Sequence, residues 1–107
     1  MSKGFQITAL EWQPVRLDVA SGVYGKTLLA EGARLVLTRV EPQGKFSTHR
    51  DGYGHLFYFL EGEGIVCVGD ERYQAQPGLV VQVAAGEAHA YENTGNQDLI
   101  LISVNVP

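Results

Sequence analysis

Thirteen glycines and four prolines interrupt this 107-residue chain so often that no apolar stretch reaches the length of an ordinary helix. The runs between them are about five to nine residues long, which is strand length. Ten such runs are predicted as strands, over residues 5–12, 23–30, 33–41, 45–49, 55–62, 64–69, 72–76, 79–85, 88–93 and 99–106. Turn-rich stretches such as EPQGK, EGEG, QPG and NTGNQD separate them. Repeated short strands with tight connections predict an all-β antiparallel sandwich or small barrel. No heptad, low-complexity tract or solenoid repeat competes with that reading.

An apolar fraction of 45% and a charged fraction of 19% suit an ordinary globular domain. At this length one domain, residues 1–107, buries roughly 65% of its unfolded surface. Eight basic residues against twelve acidic ones, with the basic ones scattered, argue against binding nucleic acid or anionic lipid. No run approaches the roughly 18 to 20 apolar residues of a membrane span, and the first residues lack the apolar core of a secretory signal. The expectation is a cytoplasmic protein that does not engage a membrane. Cys67, the single cysteine, forms no internal disulfide and reads as a small buried apolar residue.

Several runs are apolar at every position. In 56–60, Phe57 and Phe59 face one way while Leu56, Tyr58 and Leu60 face the other; residues 99–102 behave alike. One face fills the interior. The other needs cover, either from the second sheet or from a second copy, and a homodimer is expected.

The chemistry concentrates in HRDGYGHLFYFLEGEG, residues 49–64. On a single straight strand, His49 and His55 would stand about 20 Å apart, too far to share an ion. Ligands about 2.1 Å from one metal must converge, so the chain has to double back, and Gly52 and Gly54 permit that. His49 and Asp51 would then project from one strand end, and His55 from the start of the next. His89 enters another strand after the AAGEA turn. Taken singly each histidine suits a surface or core role, and Asp51, followed by glycine, equally suits a turn that caps local amides.

Jointly these stretches resemble the paired motifs of the cupin superfamily. In the first, four residues, Lys45 to Thr48, separate Gly44 from His49 where the family pattern has five. Aligned on LFYFLEGEG, His49 takes the first histidine position, Asp51 the second and His55 the usual glutamate position. In the second motif, G-x5-P-x-G-x2-H-x3-N, residues Gly78, Gly86, His89 and Asn93 match at full spacing, with Ala84 in place of proline. The resemblance implies an antiparallel double-sheet jelly-roll barrel. It also implies a mononuclear site of His49, Asp51, His55 and His89, three imidazoles and one carboxylate as in the family but in permuted order. Such a set suits one divalent transition metal ion: Fe, Mn, Ni, Cu or Zn.

If His55 and His89 point inward, strand alternation sends Phe57, Phe59 and Tyr91 the same way. The expected substrate pocket is therefore largely aromatic, with Tyr53, Gln82 and Tyr91 as polar members. Arg39 and Lys45 are candidates for meeting an anionic substrate at the rim, or else are simply solvated. The function expected is a metal-dependent enzyme on a small organic substrate, of dioxygenase, isomerase, lyase or cyclase type. The alternative is a non-catalytic metal-containing binding module.

Overall fold

A computed structural model describes residues 3–107. Nine strands make up most of it: β1 (Gln13–Pro14), β2 (Ala20–Glu31), β3 (Ala33–His49), β4 (Gly54–Glu61), β5 (Gly64–Val68), β6 (Glu71–Ala75), β7 (Val80–Val83), β8 (His89–Asn93) and β9 (Leu99–Val106). Every pairing is antiparallel, in the order β6-β5-β8-β3-β9-β4-β7, with β2 on the other side of β3 and β1 beyond it. The sheet curls on itself as a jelly-roll barrel, as expected.

The curl is made by β3. Its first half, from Arg34 to Val40, pairs with β9, and its second half, from Lys45 to His49, pairs with β8. One strand of 17 residues thus serves both layers, where the sequence suggested two strands and a turn. The turn chemistry of EPQG survives as a bulge: Ser21 pairs with Lys45 and Val23 with Val40, so residues 41–44 arch out opposite Gly22. Gln43 takes φ 68° within it.

Residues 5–12 are not a strand. They carry a single 3-10 turn, Ile7–Ala9, and only Gln13 and Pro14 after them pair with β2, at Gly25 and Tyr24. The segment is pinned instead by Lys26, whose Nζ donates to the Ile7 carbonyl at 3.1 Å. Trp12 receives the Lys26 and Arg39 cations over its ring, at 4.8 and 4.6 Å from the centroid.

Alternation along each strand builds the interior. His55, Phe57 and Phe59 of β4 are buried while Tyr58 between them is exposed; Val66 and Val68 of β5 and Leu99 and Leu101 of β9 do the same from neighbouring strands. Phe59, Leu99, Leu101, Val40 and Val66 are the largest fully buried side chains. Cys67 sits half-buried on the opposite face, not in the core. Asn93 is structural: its Nδ2 donates to the Val40 and Gln97 carbonyls at 2.9 and 2.7 Å, and its Oδ1 accepts from the Gly95 amide at 2.8 Å. A buried amide is stable only when satisfied in this way.

The β4–β5 turn depends on Gly62. Its φ of 86° is left-handed, and a Cβ there would lie 2.5 Å from the Asp98 carbonyl oxygen and 2.9 Å from the Leu99 Cα. Gly62→Ala is expected to destabilise the fold by at least about 2 kcal/mol, read by urea unfolding, since the left-handed penalty and the displaced backbone add. An unchanged midpoint would contradict this placement. No helix among the described residues is long and apolar enough to cross a membrane.

Candidate metal centre

Three strands deliver one histidine each to one end of the barrel. His49 ends β3, His55 lies near the start of β4, and His89 opens β8 and pairs with His49. Asp51 comes from the connection between β3 and β4. The chain doubles back there as the spacing requires, but without left-handed backbone at either glycine of the bend. Gly52 faces open space, whereas a Cβ on Gly54 would stand 3.2 Å from the Val83 carbonyl oxygen. Two cross-links tie the connection to the turn that precedes His89. The Gly86 amide donates to the Asp51 carbonyl at 2.7 Å, and Arg50 donates to the Gly86 carbonyl at 2.8 Å.

The four side chains meet. His55 Nε2, His49 Nε2 and His89 Nε2 lie 3.0, 3.1 and 3.7 Å from the same atom, Asp51 Oδ2. Candidate ligand atoms of His49, Asp51 and His89 all lie within 4.8 Å of one another. The imidazoles crowd: the His49 and His55 rings have centroids 4.2 and 4.5 Å from that of His89.

Hydrogen bonds on the far side of each ring decide what the near side offers. His49 Nδ1–H donates to the Ser47 carbonyl at 2.7 Å, and His89 Nδ1–H to the Glu87 carbonyl at 2.9 Å. A carbonyl only accepts, so in the neutral ring Nε2 keeps its lone pair and turns it inward. His55 Nδ1 meets the Asn105 side-chain oxygen at 3.1 Å and is oriented alike. Lone pairs facing a carboxylate oxygen at about 3 Å repel unless a positive charge lies among them. Protonating three rings this close would set like charges against one another, whereas one divalent cation satisfies all four groups. The donor set therefore fits a metal ion.

The charge balance agrees. Burial lowers the His89 pKa against the raising effect of the Glu87 carbonyl, which favours the neutral ring. Burial would raise Asp51, but the Arg16 hydrogen bond and the fields of His49, Arg16 and His55 outweigh it and hold the carboxyl below its usual range. Arg16 Nη1 binds Asp51 Oδ1 at 3.2 Å, leaving Oδ2 for the histidines. Its Nε and Nη2 are each 3.2 Å from the Asp18 carboxylate. Arg16 does this from a left-handed backbone, φ 44°, unusual for a non-glycine residue.

A cavity of about 260 Å³ opens from this cluster. Tyr53, Phe57 and Tyr91 line it, together with Phe46, Thr38 and Ser103. Two expected members lie elsewhere. Gln82 is exposed on the outer face, because it pairs with Leu56, which also faces out, while Val81 and Val83 beside it are buried. Phe59 faces inward but sits deeper, fully buried in the core, and does not reach the cavity. Arg39 is not a rim residue either: it stacks over Trp12 and Tyr24. Lys45 borders a separate shallow depression beside Cys67. The cations that line the cavity are Arg16 and Arg34. Arg16 left no signal in the sequence, being 35 positions from Asp51. Asn105 and Ser103 did leave one, as polar residues at inward positions of LILISVNV.

A family model for the cupin domain matches residues 36–105, most of the chain, His49, Asp51, His55 and His89 included. The chain belongs to the cupin family. This cupin is 28% identical to a Thermotoga maritima protein named oxalate-binding protein, over 94% of this chain and 93% of that one. Among solved structures it resembles a T. maritima protein described as a predicted oxalate decarboxylase, with a TM-score of 0.87, 24% identity and coverage of 97% of this chain and 98% of that one. It also resembles the polyketide cyclase RemF of Streptomyces resistomycificus, with a TM-score of 0.87, 23% identity and coverage of 98% and 79%. At these identities the structural likenesses speak for the fold alone.

Proposed function

We propose that this cupin is a metal-dependent enzyme acting on a small organic substrate, with one divalent transition metal ion, Fe, Mn, Ni, Cu or Zn, held by His49, Asp51, His55 and His89. The observation that carries the reading is the convergence of three imidazole Nε2 atoms on Asp51 Oδ2 at the head of a cavity. A divalent transition ion supplies Lewis-acid polarisation of a substrate oxygen and, where redox-active, electron-transfer chemistry. The remaining work falls to the chain itself. Phe46, Phe57 and Tyr91 give the cavity an apolar wall that excludes water and orients a carbon skeleton. Burial raises the Tyr91 pKa against a smaller lowering by its hydrogen bond with Ser103, so the phenol keeps its proton and can donate to a substrate oxygen. The relative named for binding oxalate supports a small organic ligand without choosing a reaction.

A second reading, a non-catalytic binding module, is favoured by the relative named for binding oxalate. Metal analysis of untagged protein tests what the two readings share, with about one ion per chain expected under both. Product formation and oxygen uptake are then measured with catechols, flavonols, thiols and diketones. Turnover supports the enzyme, metal without turnover supports the binding module, and absence of any metal after loading with each candidate ion sinks both.

We also infer that two copies pair through the outer face of β3, β9, β4 and β7. That face carries half-buried Leu56, Leu60, Ile100, Ile102 and Val104, with Tyr58 and Val80 exposed. An apolar surface of this kind is unusual on a monomer. Light scattering is expected to return twice the chain mass of 11.7 kDa; a mass of one chain at micromolar concentration would refute the pairing.

A further inference from the structure

Two arginines line the cavity, and their partners differ. Arg16 is saturated by the carboxylates of Asp18 and Asp51. Arg34 makes no ion pair among the described residues, and its guanidinium has one side-chain hydrogen bond, from Nη2 to Thr27 Oγ1 at 3.4 Å. It is exposed and lines the cavity. Strand register places it relative to the histidines. Arg34 pairs with Asn105 on β9, and Asn105 pairs with His55 on β4. Directly paired residues of antiparallel strands share a face, so Arg34, Asn105 and His55 form one row across the inner surface. At about 4.8 Å per strand, the Arg34 and His55 backbones stand roughly 10 Å apart, with the cavity over the row between them.

We propose that Arg34 is the carboxylate anchor of this cavity, and that its ligand is an organic acid whose carbon body extends from Arg34 towards the histidine cluster. The proposal deepens the reading of the cavity as a substrate site and rests on it. Three observations carry it. Arg34 is the cavity cation left without an anion, and its planar fork suits a carboxylate. The wall mixes apolar ends with a polar middle: Val36 lies beside Arg34 and Phe57 beside His55, and Asn105 and Ser103 stand between them, able to meet one polar group of the body. The volume of about 260 Å³ is that of roughly nine liquid waters, room for a body of about ten non-hydrogen atoms and far more than a two-carbon diacid needs. A dianionic phosphate fits less well, because it would bring two charges to one free guanidinium in a cavity that already holds the Asp51 carboxylate.

The test uses 4-hydroxybenzoate as probe, its neutral analogue 4-hydroxybenzamide, and oxalate. Each is titrated by calorimetry into the cobalt-loaded protein and into the metal-free protein. The acid is expected to bind at least about tenfold more tightly than the amide. Arg34→Gln should abolish that preference by weakening the acid alone, with cobalt stoichiometry and the visible absorption of the unliganded protein unchanged, and Arg34→Lys should restore part of it. The proposal is overturned if the acid does not bind, if Arg34→Gln binds it as the parent does, if the amide equals the acid, or if oxalate binds more tightly than 4-hydroxybenzoate. Failure to load cobalt would count against the metal centre alone, since an Arg34-dependent preference for the acid in the metal-free protein would still support the anchor, and its absence there would overturn it.

Discussion

His89→Ala is expected to lower affinity for zinc or cobalt by at least about 100-fold, measured by equilibrium dialysis, while the protein stays folded. The magnitude follows from the position of the ring. Its side chain is 2% exposed, its Nδ1 is held by the Glu87 carbonyl, and its Nε2 faces Asp51 Oδ2 and the His49 ring. Removing a hydrogen-bonding partner of a ligand commonly lowers metal affinity 10- to 100-fold, so removing a ligand itself should do at least as much. Asp51 and the two remaining imidazoles would also stay too close for comfort without a shared charge, so the hole is not relieved by a simple rearrangement. Water can enter the vacated space, which is why folding should survive. If the variant binds metal as tightly as the parent, the four residues do not share an ion and the metalloenzyme reading fails with them.

Phe59→Ala should destabilise the domain by about 3–5 kcal/mol, enough to lower the thermal midpoint by roughly 15–25 °C in calorimetry. Phe59 is 0% exposed and shares the core with Leu101, its direct partner on β9, and with Leu99 and Val40. Truncation removes the transfer free energy of a ring and leaves a cavity between two layers that β3 joins covalently, so the walls cannot simply close over it. For a domain of this size such a loss approaches the whole folding free energy. Gln82→Ala serves as the comparison. That side chain is exposed on the outer face, and its removal should change stability by no more than about 0.5 kcal/mol. Equal effects of the two variants would mean that β4 and β7 are out of register with the pairing of Leu56 to Gln82.

Loop and strand contribute differently to the candidate metal centre. His55 stands on a strand, where its ring is fixed by packing against Phe57, at a centroid distance of 5.6 Å, and by Asn105. Asp51 stands on a connection that has no strand partner. It is held instead by Arg16 from the segment before β2 and by the backbone of Gly86. A short carboxylate can be aimed by such braces, and the centre then draws on the β3 end, the β3–β4 connection, β4 and β8 together. The Arg16–Asp18 pair belongs to this brace. Asp18 lies below its usual pKa because Arg16 donates to it, and its carboxylate fixes the orientation of the guanidinium beside Asp51.

Much of the protein follows from local order along the chain. Glycine and proline spacing restricts the runs to strand length, period-two alternation separates Phe57 and Phe59 from Tyr58, and the spacing of His49, Asp51 and His55 demands a reversal if they are to meet. These are short-range properties, and one sequence suffices for them. Strand partners are another matter, because pairing joins residues distant in the chain. Only the folded molecule decides that β3 runs unbroken through EPQG, that residues 5–12 join no strand, and that Gln82 pairs outward with Leu56. Likewise only the folded molecule brings Arg16 to Asp51 and Arg34 into the row with Asn105 and His55. Side-chain type and spacing say which groups can bind an ion or an anion; which of them face one cavity is set by register and closure of the sheet, and those depend on the summed packing of the whole core.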